Sequence, residues 1–76
     1  MAIKSSLPEG TADRFVVLRG GSIEDKWKRA IVYQPLPGKL PKLFADLMNE
    51  AVAAGRDVPE YKEIMATLAE RGQVQL

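Results

Sequence analysis

Lys26-Trp-Lys-Arg29 sets three cations around the only tryptophan of a 76-residue chain. An indole face stacks on planar groups, and ammonium and guanidinium groups attract carboxylates and phosphates. This tetrad is therefore equipped to bind a partner and not to break a bond. Arg14, Arg19, Lys39 and Lys42 extend the candidate partner-binding patch if the strands expected below pair. The competing reading is structural: Trp27 lies in the core under the helices, and the cations guard an edge strand against stray pairing.

Bond-making chemistry has few candidates. Histidine and cysteine are both absent, which removes the commonest general base, the thiolate nucleophile and the usual zinc ligands. The serines at 5, 6 and 22 have no histidine to activate them. Glu24-Asp25 and the Glu60/Glu63 pair read as solvated carboxylates, since a chain this short leaves little room for the shaped cleft that paired acid–base work requires. Arg19-Gly-Gly-Ser22 lacks the Gly-Lys-Ser/Thr ending of a phosphate loop and reads as a hairpin turn. The expectation is no enzyme, no metal and no cofactor.

The elements that must position the basic tetrad follow from the apolar pattern. Residues 1–12 have no periodicity and read as an N-terminal arm. Arg14-Phe-Val-Val-Leu-Arg19 is rich in β-branched and aromatic residues and is closed by Gly20-Gly21-Ser22, giving a first strand. Trp27 to Gln34 gives a second, so residues 13–34 are expected as an antiparallel hairpin with a loop over Gly20 to Lys26, in which Ser22-Ile-Glu-Asp25 takes a helical turn. Residues 35–41 hold three prolines and form an extended bridge. Pro41 suits the first turn of a helix. Leu40, Leu43, Phe44, Leu47, Met48 and Ala51 then recur at helical spacing, and Tyr61, Ile64, Met65 and Leu68 repeat the pattern. Gly55 and Gly72 end the two helices of a helical hairpin over 42–71. Asp57 and Glu60 have capping-box spacing. The alternating tail at 73–76 offers a short third strand. The fold class is α+β: a small two-layer single domain, a β-hairpin followed by two α-helices, ββαα with a C-terminal strand as an option.

The charge is partitioned. Residues 1–42 carry eight basic side chains against four acidic, and residues 43–76 carry three against six. The lack of cysteine fits a reducing compartment, and with no basic-then-apolar leader and no apolar run near the ~20 residues a membrane span needs, the expectation is a cytoplasmic chain with no membrane partner. Small size, absent catalytic residues and the basic aromatic patch point to a protein-interaction module: a regulator, adaptor or inhibitor, with a homodimer as one form. Inhibitors carried by bacteriophages share this physique. The alternative is a nucleic-acid-binding, repressor-like domain. A strand over 28–34 followed by helices over 43–54 and 60–70 is similar in order to the ribbon-helix-helix repressors, in which paired strands enter the major groove. The triple-proline bridge, the extra strand and the acidic second helix depart from that pattern, and a pI near 8.0 is low for a strongly basic DNA binder.

Overall fold

A computed structural model describes residues 13–75, so the arm expected at 1–12 lies outside the described residues. Three short strands form one antiparallel meander: β1 (Phe15–Val17), β2 (Ile23–Asp25) and β3 (Ala30–Tyr33), in the order β1-β2-β3. Two helices follow, α1 (Leu40–Ala53) and α2 (Tyr61–Glu70). The α+β class with strands first and helices after is as the sequence implies.

The strand count within 13–34 differs from the expected hairpin. Ile23-Glu-Asp25 is the central strand and not a helical turn in a loop. Ile23 is fully buried, opposite Val17 on one side and Tyr33 on the other. Burying that side chain against two strands outweighs any local preference for a turn. The chain reverses tightly at Leu18 to Ser22, where Gly20 and Gly21 take φ of 96° and 97° and Leu18 N–H donates to the Ser22 carbonyl at 2.8 Å. Gly21 also lies against the bridge: a Cβ there would stand 2.9 Å from the Leu36 carbonyl oxygen, so only glycine fits. The second reversal spans Lys26 to Arg29, so Trp27, Lys28 and Arg29, expected at the head of a strand, lie in a turn.

The core lies between one face of the sheet and the two helices. Phe15 and Ile23 from the sheet meet Phe44, Leu47 and Met48 of α1 and Ile64 and Leu68 of α2. The ring of Phe44 joins the layers, edge-on to Tyr33 at 5.3 Å and tilted against Tyr61 at 5.6 Å. Both helices end in the same device. Arg56 N–H reaches back to the Ala51 carbonyl and Gly55 N–H to Val52, and Gln73 and Gly72 repeat this with Leu68 and Ala69. Positive φ at Gly55 and Gly72 completes two Schellman motifs. The capping-box carboxylate is three residues later than its sequence spacing suggests: Glu63 accepts the Glu60 N–H at 2.9 Å. Pro59 disfavours helical backbone at Val58, so α2 cannot begin at Asp57. Residues 73–75 are not a strand; Gln73 belongs to the Schellman motif, and Val74 packs half-buried on the core.

One side chain ties helix to sheet. Asn49 of α1 accepts the Phe15 N–H through Oδ1 and donates to the Phe15 carbonyl through Nδ2, both at 2.8 Å. A carboxamide has the donor and acceptor of a peptide group, so Asn49 takes the place of a neighbouring strand along β1. Asn49→Ala should lower unfolding free energy by about 1–3 kcal/mol, the cost of leaving these partly buried backbone groups unpaired. Urea denaturation of the variant against the parent reads it directly.

Candidate functional site

Asp25 ends the central strand, and its carboxylate is the best-connected polar group of the described chain. Only 1% of the residue is exposed. Arg14 Nε donates to Oδ1 at 3.0 Å and Arg14 Nη2 to Oδ2 at 2.9 Å, a two-pronged ion pair between the ends of β1 and β2. Oδ1 also accepts the backbone N–H of Trp27 at 3.0 Å and of Lys28 at 3.3 Å. An aspartate that captures amides two and three residues ahead bends the chain into a turn. This is why residues 26–29 leave the sheet instead of extending a strand from Trp27. Arg29 closes the turn in the left-handed region at φ 54°.

The electrostatics agree with this geometry. The Arg14 guanidinium holds the Asp25 carboxyl below the usual carboxylate range, against the opposing effect of burial, and the amides of Lys28 and Trp27 lower it further. With both oxygens engaged, Asp25 is a structural anion.

Trp27 stands on this pair. The Arg14 guanidinium carbon lies 4.6 Å from the centroid of the indole and 5.0 Å from that of Phe15. The guanidinium is thus bound to Asp25 by two hydrogen bonds while it makes cation–π contacts with both rings. Trp27 remains 66% exposed. Of the two sequence readings for this residue, burial under the helices is excluded: the indole is at the surface.

The eight candidate residues do not form one patch. Arg14, Lys26, Trp27, Lys28 and Arg29 gather at the end of the sheet where β2 turns into β3. Arg19 sits in the turn at the opposite end, which packs on the bridge through the Leu36 N–H to Gly21 carbonyl bond at 3.1 Å. Lys39 and Lys42 flank Pro41 beside that same turn, and Lys42 pairs with Asp46 at 3.2 Å. Arg14 is not a free cation either, since its side chain is 17% exposed and committed to Asp25. Lys26, Lys28 and Arg29 are exposed, and none joins an ion pair among the described residues.

Sequence reasoning missed Asp25, having read it as a solvated loop carboxylate. The available signal was an aspartate placed two residues before the tryptophan, the spacing of a side-chain-closed turn. Two hollows bear on this end of the molecule and on the helices. One of about 260 Å³ adjoins the ion pair and is lined by Arg14, Asp25, Lys28, Tyr33, Val58 and Pro59. A larger one of about 450 Å³ lies between the helices and the 56–60 linker, with Arg56, Glu60, Glu63 and Arg71 on its walls, and does not include Trp27. Among the described residues, no group of three or more potential ligands gathers to hold a metal, and no helix is long and apolar enough to cross a membrane.

The ion pair makes stability pH-dependent with a definite sign. Because the folded carboxyl titrates below its unfolded value of ~3.9, its contribution is complete above that value and is lost as pH falls through the lower folded one. Asp25→Asn should cost about 3 kcal/mol or more at neutral pH, since Arg14 is left without its counter-charge. The variant should also flatten the stability profile below about pH 4. Chemical denaturation across that range measures both, and parallel profiles for the two proteins would exclude Asp25 as the titrating group.

The chain matches no family model, no curated protein and no solved structure, so its function rests on the geometry of this site.

Proposed function

We propose that this chain is a non-catalytic protein-interaction module, a small cytoplasmic regulator, adaptor or inhibitor, that engages its partner through Trp27 and the basic turn Lys26–Arg29. The observation that carries this reading is a tryptophan 66% exposed yet held against a guanidinium that is itself ion-paired. Tryptophan and arginine dominate the energetics of protein interfaces. A side chain already restrained in the free protein loses less freedom on binding, so more of its contact energy appears as affinity. The restraint is built from the first strand, the central strand and the turn together, an investment that a solvent-facing indole does not need for folding alone.

A second reading shares the same surface. An exposed indole beside Lys26, Lys28 and Arg29 also suits a single-stranded nucleic acid, with a base stacked on the ring and phosphates on the cations. Arg19, Lys39 and Lys42 stand at the far end of the sheet, so the basic groups of the described residues form no continuous track for a polyanion. That separation favours a protein partner.

An affinity pull-down from native lysate, with and without nuclease, decides between them. The expected result is one defined protein retained after nuclease treatment. Trp27→Ala should weaken its binding by about 2 kcal/mol or more, as loss of an interface anchor does. The same substitution should cost folding stability only about 0.5–1 kcal/mol, the value of an exposed cation–π contact. Loss of all bound material to nuclease, with affinity falling steeply as salt rises, would give the nucleic-acid reading its place.

A further inference from the structure

The two edges of the sheet are treated differently. Along β1, the Asn49 carboxamide engages both backbone groups of Phe15 and so occupies the edge. Along β3, no described residue pairs with the outer side. β3 reads Ala-Ile-Val-Tyr, with no charge and no proline, and Ile31 and Val32 are 48% and 40% exposed. Edge strands are ordinarily guarded by lysine, proline or a covering segment. Here the one guard is the bulge opposite the Ile23–Glu24 step, which twists the strand, while Pro35 stops the edge two residues beyond Tyr33. An apolar, open edge of one short strand leads directly into Lys26–Arg29, whose three cations have no counter-charge among the described residues.

We infer that β3 is a docking edge for an extended acidic segment of the partner protein. The segment adds as a fourth strand, antiparallel to β3, with its carboxylates at its C-terminal end beside Lys28 and Arg29. Strand addition supplies main-chain hydrogen bonds for affinity and leaves alternate side chains to give selectivity. Antiparallel addition continues the pattern of the whole sheet and is the slightly more stable pairing. In that direction the incoming C-terminal end falls at the N-terminal end of β3, where the basic turn stands. A second copy of this chain is a poorer occupant. Antiparallel pairing of β3 with itself would place each basic turn against residues 34–37 of the other copy, Gln-Pro-Leu-Pro, which carry no acid. This inference rests on the protein-binding reading above and names the chemistry of the partner.

The test offers the full chain, immobilised, a random peptide library and titrates the enriched peptides into the free protein. The fluorescence of Trp27, the chain's single tryptophan, reports binding. Enriched peptides should carry alternating apolar residues that end in aspartate or glutamate. N-methylation of alternate amides in one register should weaken binding about tenfold or more, and in the other register should change it little, because only one edge of an added strand bonds to β3. Ile31→Lys, a change at an exposed side chain, should weaken binding without shifting the unfolding midpoint. Four outcomes overturn the inference: no acidic apolar segment is enriched; both methylation registers behave alike; the chain sediments as a dimer that Ile31→Lys separates; or a single-stranded oligonucleotide displaces the peptide. Its failure is separable from that of the function. A nuclease-resistant complex that depends on Trp27 but ignores Ile31→Lys removes the docking edge and leaves the interaction module standing.

Discussion

Asp25 is ionised and almost wholly withdrawn from water, an arrangement that in isolation would be strongly unfavourable. It persists because Arg14 meets both oxygens and two backbone amides share one of them. Each of these bonds also sets a piece of geometry. The arginine joins the start of β1 to the end of β2, and the amides turn the chain out of the sheet at Lys26. The guanidinium then becomes the floor on which the indole of Trp27 lies. A single buried charge thereby registers two strands, shapes a turn and presents the most exposed aromatic side chain of the described residues. Few contacts in so small a domain have comparable reach, because each strand is only three or four residues long and cannot set its own register by hydrogen bonding alone.

The remainder of the fold supports that end of the sheet from the opposite layer. Phe44, Met48 and Leu47 of α1 fill the space beneath Phe15 and Ile23, and α2 closes the other side with Ile64 and Leu68. Asn49 extends the same helix to the outer edge of β1 and satisfies Phe15 there. The consequence is asymmetric. One edge is bound to a helix; along the other no described residue pairs with the strand, and the cations beside it have no counter-charge among the described residues. The turn that carries the supported tryptophan runs directly into the open strand, so an anchor and backbone groups with no partner within the described chain belong to one stretch of sequence, residues 26–33.

Much of this was legible in the sequence. The stripes on α1 and α2, the helix-ending glycines at 55 and 72, and the order of strands before helices all follow from local periodicity and from the conformations that glycine alone adopts cheaply. The lack of histidine and cysteine narrowed the chemistry before any geometry was known. The basic tetrad was also visible, as composition. What its members do was not, because that depends on which cations are already paired. Lys42 is taken by Asp46, Arg14 by Asp25, and Arg19 stands at the far end of the sheet.

The central strand is the clearest case of a tertiary decision. Ile23-Glu-Asp25 has one apolar residue and two acids, a poor strand by composition. It becomes one because Ile23 fills the middle of the core between Val17 and Tyr33, and because Asp25 finds Arg14, eleven residues away in sequence. Trp27 shows the reverse: its type and neighbours predict a strand, and the carboxylate two residues earlier withdraws its amide from the ladder. The sequence by itself therefore determined the helices, their ends, the fold class and the supply of binding groups, all matters of short range. Tertiary structure alone decided the strand register, the exposure of Trp27 and the difference between the two edges. Those depend on contacts between residues remote in the chain, and only the folded backbone brings them within bonding distance.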